Sequence, residues 1–411
     1  MTRTAATLDL RADFPIFARE IDGKPLVYLD SAASAQKPEV VLAAMDRFYR
    51  TSYSNVHRGV YTLAQEATDL FEGARSRIAE FVGGETQTTI FTRNATEALN
   101  LVAASWGRDN VGRGDVVLVT EMEHHSNLVP WQILCQETGA QLRYLEVDEH
   151  GQLSLEQLDE ELGSGDVKCV AFAHISNVLG TINPVAEIAA RARAAGALSV
   201  VDGAQGVPQL PVEIALLGAD FYAWTGHKAL GPTGVGVLHG RAEILTEMRP
   251  WLGGGHMIAR VERDSSTWTE LPWKFEAGTD TIGDAIGLGA AIDYLSEIGM
   301  ERVRAHEREL TARALEGLQS IDGVRIVGPP GVEDRGGVIS FAIEGMHPHD
   351  VADLLNRDNV CVRAGHHCAQ VLMRKLGVAA TARASFGPYN VTEDVDALLD
   401  SVTRARDVFA G

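Results

Sequence analysis

Long apolar runs are missing from this chain of 411 residues. None approaches the ~20 consecutive residues needed to span a bilayer, so no membrane helix is expected. The opening residues, MTRTAATLDLRADF, lack the apolar core of a secretory leader. Cysteine is scarce: four in the whole chain, too few for a disulfide scaffold. That scarcity fits a reducing cytoplasm, where a free thiol can act chemically. Basic residues are outnumbered, 36 against 56 acids, for a formal charge of −20. Such a chain is repelled by a phosphate backbone and is not expected to bind nucleic acid generally; a local basic pocket for a small anion stays open. Solenoid repeats, low-complexity tracts and disordered linkers are absent too. There is no GxxxxGK[ST] run, so no nucleotide phosphate loop is expected, and without an HExxH run a metal reading of the histidine loop ranks below a stacking one.

What is present is globular. Apolar residues make up 45% and charged residues 22% of the chain, close to the average for packed domains, and the length suggests two or three of them. Strand-like runs at Thr89–Thr92, Asp115–Thr120, Val167–Ala173, Leu198–Val201 and Phe221–Trp224 alternate with helical stretches such as Thr96–Trp106 and the one from Pro184 to Gly196. That rhythm predicts a large, doubly wound α/β domain with a mainly parallel sheet. Upstream, a short helix Leu10–Phe17, a strand Leu26–Leu29, a helix from Pro38 to about Arg50 and a long helix Thr62–Phe81 are expected. Residues 251–283 hold three tryptophans and many turn residues, which suggests a β-hairpin excursion suited to a subunit contact. Helices Ala285–Ile298 and onward to about Ser320 follow. The last ~90 residues repeat strand and helix on a smaller scale, ending in a helix capped by Thr392. The expected division is a segment 1–25 packed on the small domain, a large domain 26–290, and a small α+β domain 291–411.

Two of the strand-length runs carry the chemistry. Leu198–Val201 ends at Asp202, and Phe221–Trp224 leads to His227 and Lys228. In a parallel sheet both loops open at the C-terminal strand edge, where ligands bind. An acid and a lysine in one crevice suit pyridoxal 5′-phosphate: the amine condenses with its aldehyde, and the carboxylate keeps its ring nitrogen protonated so that the ring accepts electrons. Alone, the pair reads equally well as a salt bridge. Other loops add to it. Asn94 is an N-cap with Glu97 three residues on, a capping-box relative. The free N–H groups near Ala95 and Thr96 suit a phosphate dianion, provided Glu97 turns away. His124 is a stacking partner for a pyridine ring, whereas His125 with Glu121 and Glu123 offers a weaker metal reading. Asn177 can donate to a cofactor oxygen. Ala32 and Ala33 admit a ligand close to the backbone or form a plain turn. His57 and Arg58 are either surface residues or a cationic pair beside an anion-binding crevice.

Cys368 stands in RAGHHC beside Arg363, His366 and His367; cationic or proton-accepting neighbours favour the nucleophilic thiolate. A zinc site built from Cys361, His366, His367 and Cys368, or an ordinary loop cysteine, are the competing readings. Cys135, Cys169 and Cys361 sit in apolar patterns and are expected to be buried and inert. Arg383 either clamps a substrate carboxylate through two parallel hydrogen bonds or forms a solvent salt bridge.

Taken in order, YLDSAASAQKP, NVHRG, NATEALNLVA, EMEHHSNLVPW, HISNVLGTINP, VVDGAQ, TGHK, GPTGVGVL, FEAGT, RAGHHCAQ and RASFGPYN resemble the group II (SufS-type) cysteine desulfurases over nearly the whole chain. The resemblance implies the aspartate aminotransferase-like fold of the fold type I pyridoxal-phosphate enzymes. By it, Lys228 is the Schiff-base lysine, Asp202 pairs the pyridinium, and His124 stacks on the ring. Gln205 and Asn177 contact a cofactor oxygen or the substrate; Ala95, Thr96, Thr225 and His227 bind phosphate; Thr279 reaches the site of a second subunit in a homodimer. L-Cysteine would meet Arg383, Asn177, Ala32, Ala33, His57 and Arg363, and Cys368 would take its sulfur. Ala95 stands where threonine is usual and Thr225 where serine is; a backbone N–H or an equivalent hydroxyl serves in each case. RAGHHC differs from the longer cysteine loop of the group I enzymes. The implied reaction yields L-alanine and a persulfide on Cys368, passed to a sulfur acceptor of SufU or SufE type for iron–sulfur assembly. HPHD, residues 347–350, resembles the segment that docks a zinc-bearing acceptor, with His349 as the exchanging ligand. A selenocysteine lyase, another pyridoxal-phosphate lyase or aminotransferase, and a non-enzymatic zinc-binding module are the rival readings.

Overall fold

The computed structural model describes residues 8–410; residues 1–7 of the expected N-terminal segment and residue 411 lie outside it. A seven-stranded sheet forms the centre, in the spatial order Thr89–Thr92, Gly236–Gly240, Phe221–Thr225, Leu198–Asp202, Val167–Ala173, Val116–Thr120, Gln141–Leu145. Five neighbouring strands pair in parallel, and Gly236–Gly240 runs against both of its neighbours. Six of these strands are buried along all or all but one of their residues, as near-continuous apolar runs in a two-faced sheet must be. The exception is the outermost strand, Gln141–Leu145, exposed at its start and only partly buried through most of its length. Its polar QLRYL pattern hid it from the sequence reading.

Several expected elements shift, each for a local reason. The helix expected at Leu10–Phe17 is two 3₁₀ turns, Arg11–Asp13 and Pro15–Ala18. Pro15 brings no N–H and pushes Phe14 into extended backbone (φ −110°, ψ 101°). The helix expected at Thr96–Trp106 is α-helical over Ala95–Val102 and then widens into a π-type turn, Ala103–Gly107. The strand expected at Leu26–Leu29 shortens to Val27–Tyr28, paired in parallel with Val360–Cys361. Thr392 is the first residue of the closing helix Thr392–Ala410 rather than its cap. The long helix Thr62–Phe81, the hairpin Ile258–Val261/Ser266–Trp268 and the helix Met300–Gln319 form where the pattern put them.

Helix Ile282–Ile298 is apolar on nearly every side because it lies between Glu39–Thr51 and Thr62–Phe81. A second sheet, antiparallel, is ordered Val324–Val327, Val338–Ile343, Thr381–Ser385, Arg363–Gly365. It has its own apolar core, to which Leu310, Leu315, Leu355, Leu398 and Val402 belong together with Val27 and Leu29. The N-terminal segment is tied to this part: Arg11 pairs with Asp394 at 2.9 Å, and the Asn359 amide donates to Ile21 O at 2.6 Å.

Two glycines let the sheet edge close around the site. Gly203, directly after Asp202, lies flat against the Tyr222 ring, where a Cβ would collide. Gly236 crosses over the Asn94 backbone at the start of helix Ala95–Val102 in the same way. Gly236→Ala is expected to cost about 1–3 kcal/mol, because backbone must move to admit the methyl group, as read from the urea unfolding midpoint. Gly253→Ala, whose Cβ would meet nothing within 4 Å, should leave that midpoint unchanged.

Candidate active site

The parallel strands deliver their C-terminal ends to one edge of the sheet, and a cavity of about 210 Å³ opens there. Its walls come from six stretches: Ala32 and Ala33; Asn94, Ala95 and Thr96; His124 and Ser126; Asn177; Asp202 and Gln205; Thr225, His227 and Lys228, joined by Arg363 and Arg383 of the second sheet. Most residues singled out from sequence are therefore brought together.

Asp202 ends its strand, buried, with one oxygen accepting from Ala204 N–H at 3.0 Å. Burial pushes its carboxyl upward, and the nearby Lys228 charge pulls it back. Lys228 follows the neighbouring strand in a 3₁₀ turn, Gly226–Lys228. Burial takes its amine down to about 8; Asp202 opposes the shift, while Arg383 and Arg363 add to it. His124 is held neutral, at about 3, first by burial and then by the Lys228 charge. Its Nδ1 accepts from Ser126 N–H at 3.1 Å, which leaves the ring proton on Nε2. Ser126 is a residue the sequence reading missed; a serine two positions after a histidine carries no distinctive signal.

At the helix Ala95–Val102 the Asn94 side chain accepts from Glu97 N–H at 3.0 Å, so the N–H groups of Ala95 and Thr96 face the cavity without a helical acceptor. Glu97 turns away: it pairs with Arg93 at 3.1 Å and accepts from Arg93 N–H, so its charge does not oppose an anion. Lining the same cavity, the Thr225 hydroxyl is buried with no hydrogen-bond partner. A helix N-terminus and an orphaned buried hydroxyl in one wall fit a phosphate group. With a lysine and a buried carboxylate across the same cavity, the residues present fit pyridoxal phosphate.

Gln205 is committed to structure, donating to Ala32 O at 2.8 Å and accepting from Gln209. Asn177 donates to His367 O at 2.7 Å. Arg383 is fully buried; its terminal nitrogens donate to Asn177 O (2.9 Å) and Asp30 (3.0 Å), while Nε has no partner. The solvent salt bridge considered for Arg383 is thus replaced by an interior one. Arg363 lines the cavity and donates to the Cys368 sulfur at 3.5 Å. Cys368 lies in a loop with left-handed backbone at His367 (φ 52°) and Cys368 (φ 58°), pinned by His125 N–H donating to Cys368 O at 2.7 Å.

Some expectations do not hold in this arrangement. His367 does not face the thiol: its Nε2 bonds Thr381, and burial holds it neutral, at about 3. Cys361 is half-buried rather than buried. His366 is exposed and Cys361 points at Asn359 O, so the four-residue zinc reading of that loop is not assembled. Nor is the His125 metal reading, because Glu123 instead accepts from Thr120, Asn127 and Ala173 N–H. His57 packs on His256 and Trp273, away from the cavity. Thr279 lines a separate cavity with Arg93, Glu97 and Trp251.

The class-V aminotransferase family model matches residues 27–398, and the chain belongs to that family. It is 50% identical to a probable cysteine desulfurase of Halalkalibacterium halodurans, over 98% of both chains. It is 49% identical to a cysteine desulfurase of Haloferax volcanii, over 98% of this chain and 97% of the other. The apo structure of the cysteine desulfurase from Thermococcus onnurineus superposes with a TM-score of 0.93 at 40% identity, covering 97% of this chain and 98% of the other.

Labelling of Lys228 by an amine reagent in the cofactor-free chain should rise with pH and reach half-maximum near 8, since only the neutral amine reacts. Mass spectrometry of the labelled peptide reads this; a half-maximum near the ordinary lysine value of about 10.4 would contradict the burial argument.

Proposed function

We propose that this chain is a group II cysteine desulfurase, converting L-cysteine to L-alanine with transfer of sulfur to Cys368. The observation that carries the reading is the meeting of Lys228, Asp202, Arg363 and Arg383 on one cavity, with Cys368 held against Arg363. Lys228 would carry pyridoxal phosphate, with Asp202 at the ring nitrogen, His124 on the ring face, and Ala95, Thr96, Thr225 and His227 at the phosphate. When bound, the cofactor supplies an electron sink for the carbon that loses its proton.

The chain's own groups do the rest. Arg383, with Nε free, and Arg363 provide positive charge for the substrate carboxylate. Lys228, part neutral near neutral pH, takes the Cα proton. The Cys368 sulfur then attacks the substrate sulfur. A sulfur–sulfur bond forms, the carbon–sulfur bond breaks, and its electron pair stays with carbon, which takes up a proton. Alanine leaves and a persulfide remains on Cys368.

The persulfide would pass to an acceptor of SufU or SufE type for iron–sulfur assembly. His349, exposed at the start of helix Pro348–Asn356 with its ring 5.2 Å from His347, is the contact proposed for a zinc-bearing acceptor. A homodimer is supported by the exposed aromatics Tyr49, Tyr53 and Tyr61 and by Thr279, which lies apart from this chain's own cavity. We assign residues 26–290 to a large domain and 291–411 to a small one, with 1–25 packed on the latter; the separate apolar core of the second sheet supports this. A cytoplasmic location fits the four free cysteines of the chain. No helix of the described residues is long and apolar enough to cross a membrane.

Incubation with L-cysteine and a thiol reductant should yield alanine and sulfide one for one. A keto acid product would favour an aminotransferase. Cys368→Ala should abolish alanine formation from cysteine while keeping the absorbance of lysine-bound cofactor, and residual turnover of selenocysteine alone is compatible with this. Unchanged cysteine turnover would overturn the assignment.

A further inference from the structure

Outside the cavity, three segments far apart in the chain bring His57, His256 and Asp280 together, with one ligand atom from each lying within 4.8 Å of the others. His57 precedes helix Thr62–Phe81, His256 precedes the hairpin Ile258–Val261/Ser266–Trp268, and Asp280 precedes helix Ile282–Ile298. The two imidazoles stack, their centroids 4.7 Å apart. The Nε2 atoms of both are buried without a hydrogen-bond partner. Buried polar nitrogens are normally satisfied, and two unpartnered ones this close together call for a shared partner.

Neighbouring groups do not supply it. Glu72 Oε1 comes within 3.3 Å of His57 Nε2 but is out of line for a hydrogen bond to it and accepts from Trp273 Nε1 and Arg75. The Asp280 carboxylate is 3.7 Å from His256 Nε2, too far for a hydrogen bond. Asp280 has no lysine or arginine within ion-pair distance among the described residues, because Arg75 is committed to Glu276 and Glu72. The pocket thus has two imidazole nitrogens without a hydrogen-bond partner and one carboxyl group with no lysine or arginine in ion-pair range among the described residues. Both histidines sit in left-handed backbone, φ 69° and 75°, which few non-glycine residues adopt.

We propose that His57, His256 and Asp280 bind a divalent first-row transition ion, zinc above all, which clasps the 251–281 excursion to the helix Thr62–Phe81. Two imidazoles and a carboxylate are a zinc donor set with one position left for water. Metal–ligand bonds of about 2.0–2.1 Å place donors roughly 3.3 Å apart around a tetrahedral ion, so only small side-chain rotations close the site. Imidazole donors select against hard cations such as magnesium and calcium. None of the three residues lines this chain's own Lys228 cavity, and the metal site does not depend on the desulfurase assignment. It escaped the sequence reading because the ligands are 199 and 24 positions apart (57 to 256 to 280), a spacing no motif encodes.

Titration of the holoenzyme with Co²⁺, followed by visible absorbance and by metal content after dialysis, tests it. One ion per chain is expected, with ligand-field bands but no thiolate charge-transfer band, displaced by Zn²⁺ and not by Mg²⁺. His256→Asn and Asp280→Asn should each weaken binding at least about tenfold, whereas Cys368→Ala should leave it unchanged. A sulfur charge-transfer band lost in Cys368→Ala, or full binding in His256→Asn, would overturn the proposal. The unmutated protein decides independently of how the variants fold: no bound Co²⁺, or binding only to thiolate, refutes the site.

Discussion

Parallel pairing of Leu198–Asp202 with Phe221–Thr225 is the constraint from which the active site follows. The register sets Asp202 opposite Ala223, and Gly203 N–H donates back to Ala223 O at 2.7 Å. Both strands are buried, so the carboxylate and the amine that follow them emerge in a medium of low polarity. There each charge is costly alone and valuable to the other. A lysine lowered to about 8 and a carboxyl pushed upward are two consequences of the same burial.

The second sheet contributes the groups that the first cannot. Arg363 and Arg383 face each other on adjacent antiparallel strands and reach into a cavity whose other walls belong to the parallel sheet. The connection is polar and specific: Arg383 to Asn177 O, Asn177 to His367 O, and His125 N–H to Cys368 O. The last two hold the cysteine loop to the loops that follow Val167–Ala173 and Val116–Thr120, and the first ties strand Thr381–Ser385 to the former. Two consecutive left-handed residues at His367 and Cys368 are the kind of backbone that persists only when its surroundings over-determine it.

Charge is organised locally against the overall balance. The chain carries a formal −20, yet Lys228, Arg363 and Arg383 converge on one cavity. A cationic crevice in an acidic surface focuses small anions and rejects polyanions. Glu97, the acid nearest the phosphate-facing helix start, is drawn off by Arg93. Glu123, raised to about 8 by burial, is instead a brace between the ends of two strands.

Much of this was legible in the order of residues. Apolar runs of strand length, proline and glycine punctuation and polar loops at strand ends settled the α/β class, and Asp202, Lys228, His124, Cys368 and Arg383 stood out because their chemistry is carried by residue type within a short motif. What the linear pattern could not decide depends on partners distant in the chain. It did not show that Thr89–Thr92 pairs with Gly236–Gly240 at the sheet's edge, that Gln205 would be taken up by Ala32, or that His367 would turn from the thiol toward Thr381. Nor did it show His57 leaving the crevice for His256 and Asp280. Local sequence dictates periodicity and reactivity; which donors remain free is set only when packing has assigned every other buried group its partner.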